Sequence, residues 1–409
     1  MDKSVIIMIN LYIINESKRA STYGIGTYII ELIAALKDSD IRINVVHLFS
    51  DKADMELINS DGVCHWHIPS PVNGNISLDI IELYYRNVVY LLQLLIKDTD
   101  RLVFQLNYIR SQLLINELQR FFHCKVLFVV HYLNKEQYVI NNRKKLLPIL
   151  KEQQQGNFRK MIEQEKTYLS KVDRIVSISN HMHEILCRDY RIETEKMLVI
   201  PNGLSDIYNP SVNKMILRKK WNVFPGEKII LFVGRMDEIK GLNYLIKAFH
   251  DVLLVCPRSR LVIAGDGEFD HYTKESQEVC TRIVYTGFMS KSRLHEWYRL
   301  ADLGVVPSLF EPFGYVALEM MMHGLPIVAT ATSGLNEVVD DMCGLKVPVT
   351  GLSDRVEIDK TLLVQKILYL LQHPVEARKI GQNGRKRYLK EYTSEVFRRN
   401  MLQLYESFF

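Results

Sequence analysis

The sequence is poor in the features that would mark a disulfide-stapled, zinc-bound, membrane-spanning or nucleic-acid-binding chain. Its six cysteines (Cys64, Cys124, Cys187, Cys256, Cys280 and Cys343) stand singly in 409 residues, with no Cys-x-x-Cys pair. Scattered cysteines in a long chain read as reduced thiols of a cytoplasmic protein and give no support to a zinc site. His65-Trp66-His67 alternates as a strand would, so both imidazoles share a face, but no third ligand lies nearby in sequence. His181-Met182-His183-Glu184 is not the His-Glu-x-x-His zinc pattern and reads as the first turn of a helix after Ser179. No apolar run approaches the roughly 18–20 residues of a membrane span. The opening MDKSVIIMINLYIIN has no small-residue cleavage site and is interrupted by Asn10, so it reads as a first buried strand. Repeats, low-complexity segments and a convincing Asp-x-Asp metal motif are also missing.

What is present is ordinary for a globular enzyme: 47% hydrophobic and 24% charged residues. A single core stops growing at about 250–300 residues, so this length predicts two domains. The net charge of +5 is mild but uneven. Between Arg101 and Arg174 there are 14 Lys/Arg against 6 Asp/Glu, including the triplet Arg143-Lys144-Lys145. Two readings stay open for that stretch: a solvated helix surface, or a face for an anionic membrane or acidic substrate. No nucleic-acid module accompanies the charge, so no nucleic-acid partner is expected.

Short β-branched runs alternate with helix-period segments along the chain. Strands are predicted near Val5–Tyr12, Ile43–Leu48, Leu102–Leu106, Val126–His131, Arg174–Ser177 and Met197–Ile200, with amphipathic stretches at Thr27–Leu36 and Ile81–Ile96. The pattern breaks at Pro201-Asn202-Gly203. It restarts with strands near Ile229–Val233, Leu261–Ala264, Ile283–Thr286, Leu303–Val306 and Ile327–Ala329. Continuous apolar strands separated by helices argue for parallel sheets covered on both faces. The expected fold is therefore α/β with two doubly wound, Rossmann-like domains, residues 1–203 and 204–392, facing a central cleft. The tail near 393–409 reads as a helix that packs back on the first domain. Ligands of such sheets bind outside the carboxyl ends of the strands.

The strongest chemical signal is Glu311-Pro-Phe-Gly-Tyr-Val-Ala-Leu-Glu319. Glu311 follows a strand in a loop containing Pro312, Phe313 and Gly314, and Glu319 lies within a helix that should start near Tyr315. Eight residue steps at 1.5 Å each span about 12 Å at most, comparable to the distance from sugar to ribose in a nucleotide-sugar. One carboxylate can then meet sugar hydroxyls and the other ribose hydroxyls, with the free N–H groups of the first helical turn facing the phosphates. The plainer reading is two surface glutamates around an ordinary helix start. Upstream, Phe232-Val-Gly234-Arg235 and Lys240-Gly241 offer two cations, which would otherwise form surface ion pairs with Asp237 or Glu238. Gly24-Ile-Gly26 before a helix could let main-chain N–H groups approach a ligand, or serve only as a helix-entry turn. His131 closes a strand, where it could enter a site or be a satisfied structural histidine. Gly265-Asp266-Gly267 lacks the rest of a phosphate-loop motif and reads as a tight turn.

Taken in order, Phe232–Arg235, Lys240-Gly241, Leu261–Gly267, Tyr285-Thr-Gly287-Phe288, the Glu311–Glu319 string and Ser333-Gly-Leu-Asn-Glu337-Val-Val resemble the signature of the family 4 retaining glycosyltransferases, which have the GT-B fold. The resemblance covers the whole second half of the chain. It implies a retaining transfer of a hexose-type sugar from a nucleoside-diphosphate sugar, a UDP-sugar on family frequency, to an acceptor hydroxyl. That acceptor would be a glycan, a lipid-linked sugar, a small metabolite or a protein, in cell-surface glycan or glycoconjugate synthesis. It further implies catalytic or phosphate-binding roles for Glu311, Arg235, Lys240 and His131. Donor contacts would come from Gly24, Gly26, Gly234, Gly287, Phe288, Phe313, Gly314, Tyr315 and Glu319. No cofactor and no metal are expected, because two fixed cations and a helix N-terminus can take up the leaving-group charge. The family often has His-Asp where this chain has His131-Tyr132, which puts in doubt any role that depends on the Asp. The expected place is the cytoplasm, with peripheral contact to the inner membrane face if the basic stretch serves that purpose. A sugar-nucleotide epimerase on the same fold and a degenerate, non-enzymatic transferase partner are the rival readings.

Overall fold

A computed structural model of the chain describes residues 8–16, 24–72, 74, 76–97, 100–140, 156–352 and 355–409. The triplet Arg143-Lys144-Lys145 and the start of the first predicted strand, Val5 to Ile7, lie outside the described residues. The chain divides into two compact units. One comprises Met1–Asn134, Gln153–Gly203 and Ser394–Phe409, and the other Lys135–Glu152 and Leu204–Thr393.

The first unit holds an eight-stranded sheet: β1 (Ile9–Asn15), β2 (Ile41–Ser50), β3 (Glu56–Ser60), β4 (Val63–Pro69), β5 (Leu102–Leu106), β6 (Cys124–Val130), β7 (Arg174–Ser177) and β8 (Met197–Val199). Their order is β3-β4-β2-β1-β5-β6-β7-β8. Every pairing is parallel except β3 with β4. The central strands are buried along their whole length, as in Leu-Val-Phe-Gln-Leu of β5. Helices cover both faces of such a strand, so it cannot alternate with polar residues. The edge strand β3 has no such constraint: its sequence Glu-Leu-Ile-Asn-Ser is mostly exposed and carries no clear period, and sequence reasoning missed it. The last helix, Ser394–Glu406, belongs to this unit. Arg398 Nη1 donates to the carbonyls of Ala35 at 2.6 Å and Lys37 at 2.7 Å, which satisfies the C-terminal end of the helix Gly24–Leu36. Tyr405 donates to Gln105 of β5 at 2.5 Å.

The second unit holds seven strands: β9 (Lys228–Val233), β10 (Ser259–Ala264), β11 (Ile283–Gly287), β12 (Leu303–Val306), β13 (Ile327–Ala331), β14 (Leu345–Gly351) and β15 (Val356–Ile358). Their order is β11-β10-β9-β12-β13-β14-β15, parallel except for the last pair. β14 and the three-residue β15 were not foreseen, because their burial alternates irregularly and neither forms a continuous apolar run. In both units the strand order reverses beside the first strand of the sheet. In the second unit that switch lies between β9 and β12. The helix Tyr315–Met322 lies tightly against β12 because Gly304 has no side chain; a Cβ there would sit 2.3 Å from Met320 Sδ.

Three imidazoles meet on one face of the first sheet: His65 and His67, which have no third ligand nearby in sequence, are joined in space by His47. His47 of β2 is in register with His67 of β4. The rings of His47 stack on His67 at 4.6 Å and on His65 at 5.3 Å, and His47 Nε2 lies 3.0 Å from His65 Nδ1. Among the described residues no group of three or more His, Cys, Asp or Glu is arranged to hold a metal ion.

Candidate active site

In the second unit the strands end on glycines that bring three backbones together. Gly234 follows β9, Gly265 follows β10 and Gly287 ends β11. Gly234 N–H donates to the Ala264 carbonyl at 3.0 Å and Gly265 N–H to the Gly287 carbonyl at 3.0 Å. A Cβ on Gly265 would lie 1.9 Å from the Gly234 carbonyl oxygen, and the residue sits at φ +149°, so no other residue fits. Gly265-Asp266-Gly267 is a structural turn: Met236 N–H donates to the Asp266 carbonyl at 2.6 Å and Glu268 N–H to the Met236 carbonyl at 2.9 Å.

This bracing fixes the loop after β9, which carries Arg235 and Lys240. Asp237 caps the short turn Glu238–Lys240 by accepting from Lys240 N–H at 3.2 Å. Arg235 Nη2 pairs with Asp237 Oδ2 at 3.0 Å, the ion pair that the plainer reading of the sequence named. Lys240 does otherwise. Its Nζ reaches across to the loop after β12 and meets Glu311 Oε2 at 2.5 Å. The two loops are also joined through main chain, since Leu309 N–H donates to the Ile239 carbonyl at 2.7 Å. Two residues 71 positions apart, singled out independently in the sequence, thus form one half-buried ion pair at the switch between β9 and β12. Ligands of open parallel sheets bind at this position.

Behind Glu311 the helix begins at Tyr315, with Gly314 at φ +109° as its N-cap. The Glu311 carbonyl accepts from Leu335 N–H at 3.2 Å, and Gly334 lets that second loop close in, because a Cβ there would lie 1.9 Å from the Pro312 carbonyl oxygen. The first-turn N–H groups of this helix supply the positive end of its dipole beside the Lys240–Glu311 pair. Glu319, one turn further in, accepts from Tyr298 at 2.5 Å. Phe313 sits differently from a side chain that greets a ligand. It is 4% exposed and packs edge-on against Tyr315 and Tyr392. Phe288 is the opposite, 69% exposed beside Gly287 at φ +65°.

The first unit places the remaining candidates in a helix and at the carboxyl end of a strand. Gly24 and Gly26 lie inside the first turn of the helix Gly24–Leu36, not in a loop ahead of it, and Gly26 is buried. His131 follows β6, is 8% exposed, bonds Asn107 Oδ1 through Nε2 at 3.0 Å, and meets the Tyr28 ring edge-on at 4.7 Å. Burial pushes its pKa down to about 3, so the ring is neutral at neutral pH and acts as a hydrogen-bonding group, not a cation. Tyr132, in the place of the family's Asp, stacks with Tyr108 at 6.0 Å. Sequence reasoning passed over Glu16, which directly follows β1. It is 1% exposed, and burial raises its carboxyl to about 8 against the opposing pull of Arg110, whose Nε lies 3.1 Å from Oε2. Its only signal in sequence is a charge placed immediately after an apolar strand. Buried ionisable groups at strand ends are frequent members of functional sites.

Two Rossmann-like units, one of them with paired charges at its switch point, define the GT-B class of architecture. A family profile described as Glycosyl transferases group 1 matches residues 213–387, and one described as Glycosyltransferase Family 4 matches residues 22–206. An uncharacterized glycosyltransferase of Methanocaldococcus jannaschii is 35% identical over 181 residues, 42% of this chain and 46% of that protein. The chain thus spans under half the length of this curated relative. Among solved structures, sucrose-phosphate synthase from Thermosynechococcus elongatus superposes with a TM-score of 0.79 at 22% identity, covering 98% of this chain and 99% of that one. Anabaena HepE in complex with UDP-glucose gives a TM-score of 0.71 at 17% identity, covering 98% and 100%. The chain belongs to the family 4 glycosyltransferases of the GT-B fold.

The buried neutral His131 makes stability depend on pH. Its folded value of about 3 lies below the 6.5 of an unfolded histidine, so the unfolded chain takes up the proton first. The stability tied to the neutral ring is complete above pH 6.5 and is lost as pH falls toward 3. Between pH 7 and pH 5 the loss amounts to about 2 kcal/mol. Urea unfolding at the two pH values should show it, and His131→Gln should abolish that increment; an unchanged pH difference would contradict the assignment.

Proposed function

We propose that the chain transfers a hexose-type sugar from a nucleoside-diphosphate sugar to an acceptor hydroxyl with retention at the anomeric carbon. The observation that carries this reading is the meeting of Lys240 with Glu311 at the β9–β12 switch, one helical start away from Glu319. When the bond from the anomeric carbon to the β-phosphate oxygen breaks, negative charge grows on that phosphate. Arg235 and Lys240 are cations already in place, each held by a carboxylate in the free protein, and the N-terminus of the helix Tyr315–Met322 adds its dipole. The diphosphate displaces those carboxylates as ion-pair partners. Arginine then offers a planar fork and lysine a point charge. Glu311, released from Lys240, accepts from sugar hydroxyls, and Glu319 accepts from ribose hydroxyls.

The retaining course proceeds by attack on the face from which the diphosphate leaves. The bond to the phosphate oxygen breaks, the bond to the acceptor oxygen forms, and the acceptor proton passes to the departing phosphate. No metal is needed in this scheme, since protein cations stabilise the leaving group. UDP is the favoured nucleotide; the HepE complex with UDP-glucose, a fold relative, supports that choice. The first unit shapes the acceptor side, with His131 as a neutral hydrogen-bonding group.

The reading extends to peripheral membrane association, in keeping with a role in cell-surface glycan synthesis. Among the described residues no helix is long and apolar enough to cross a membrane. The helix Leu78–Leu95 does expose Leu83 (59%), Tyr90 (60%) and Leu94 (50%), seven and four residues apart on one face. Such a stripe, in the same unit as much of the basic stretch, suits the interfacial zone of an anionic membrane.

Three measurements check these statements. Arg235→Ala or Lys240→Ala should lower turnover by roughly 10²–10³, the usual scale for one charge-stabilising group; near-normal turnover in both would remove the phosphate role. A thermal-shift screen against UDP, GDP, ADP and their sugar conjugates should give a selective rise, about 2.7 kcal/mol of stabilisation at 100 times the dissociation constant. No shift with any of them would favour a non-enzymatic partner. Co-sedimentation with anionic liposomes should recover the protein in the pellet and lose it with Leu83→Asp/Leu94→Asp; recovery only in the supernatant would refute membrane contact.

A further inference from the structure

We infer that Tyr298 is a positioning residue that holds the Glu319 carboxylate ready for the ribose of the donor. The inference rests on the reading of Glu319 as the ribose-binding group. Tyr298 lies on the helix Lys291–Leu300, in a different segment from the Glu311–Glu319 string, and is 1% exposed. Its hydroxyl donates to Glu319 Oε2 at 2.5 Å. A hydroxyl bonded to a carboxylate is a charge-assisted bond, shorter and stronger than one between neutral groups. Burial, reinforced by the Glu319 charge, raises the phenol well above its ordinary range, so it stays a proton donor at every working pH.

The ring cannot swing away. His323 stacks on it at 5.7 Å and 20° between planes, and His323 Nε2 lies 2.8 Å from Nδ1 of His295, one turn before Tyr298 on the same helix. His323 is also four residues after Glu319, and its N–H donates to the Glu319 carbonyl at 3.2 Å. Glu319 is therefore fixed twice to the same small cluster: its main chain through His323, its side chain through Tyr298. Burial brings His323 down to about 3 and His295 to about 4, with neighbouring positive groups adding to the effect, so both rings stay uncharged and the stack does not repel itself.

A glutamate side chain on a half-exposed helix face has several rotamers, and a ligand that must select one loses affinity for doing so. Tying one carboxylate oxygen to a buried phenol removes that selection before the ligand arrives. Tyr298 touches no ligand in this scheme; it acts through Glu319.

The test compares UDP with 2′,3′-dideoxy-UDP by calorimetry on the wild type, Tyr298→Phe and Glu319→Gln. Tyr298→Phe keeps the ring and its stacking on His323, and should weaken UDP by roughly tenfold, the scale of a lost hydrogen bond to a charged group. It should change the dideoxy ligand less than twofold. The ratio of the two affinities is independent of the folded fraction, so a partly unfolded variant still reports; Tyr298→Met, read the same way, serves as the second variant. Equal weakening of both ligands would show general damage and overturn the inference. An unchanged UDP affinity in Tyr298→Phe, with Glu319→Gln still selectively weak for UDP, would overturn the positioning role alone. Should Glu319→Gln leave UDP binding unchanged, the ribose reading itself fails and the role of Tyr298 falls with it.

Discussion

In the second unit everything turns on the contact between the loops after β9 and β12. These strands are neighbours that start opposite windings of the chain, so their loops diverge above the sheet and leave space between them. The Lys240–Glu311 ion pair and the Leu309-to-Ile239 main-chain bond hold the two loops at a fixed separation. Gly241 makes that approach possible, because a Cβ there would meet the Pro307 carbonyl oxygen at 2.0 Å. The pair does two things in the free protein. It compensates a half-buried lysine and a half-buried glutamate for their loss of water, and it keeps both in the place that the proposed function gives to a diphosphate and a sugar.

Around that contact the unit is braced largely by backbone. Gly234, Gly265 and Gly287 bring three strand ends within hydrogen-bonding distance, and Gly334 lets the loop after β13 rest on the loop that carries Glu311. Thr332 adds a bond to the Leu309 carbonyl at 2.9 Å. The Tyr298–Glu319–His323 cluster plays the same part for the far end of the string, with neutral buried rings in place of glycines. The Glu319 carboxylate is thus set on supports that do not themselves titrate near neutral pH.

The first unit is organised on a different balance. Its carboxyl-end residues are buried and carry strongly displaced proton affinities: Glu16 is raised by burial despite Arg110, and His131 is lowered by burial. His47 shows the same tendency, brought down to about 4 by burial and by the neighbouring His67 and His65 rings.

Much of this was legible in the amino-acid order alone. Parallel strands buried on both faces, such as β5, β6, β9 and β10, must be continuous apolar runs, and they were read as such. The helix start at Tyr315 follows from Pro312 and Gly314. The string from Glu311 to Glu319 is local, so its spacing is fixed by helical rise whatever the rest of the chain does. What the tertiary structure decided is everything that depends on separation along the chain. Lys240 could have paired with nearby Glu238, and instead meets Glu311 because the strand order sets β9 beside β12. His47 joins His65 and His67 because β2 and β4 pair in register. Phe313 faces the core, not the ligand side, because Tyr392 lies 79 positions later in sequence and 6.1 Å away in space. Tyr298 finds Glu319 for the same reason. Local periodicity follows from covalent geometry and can be read from one segment; a contact between segments depends on which strands and helices the whole core brings together.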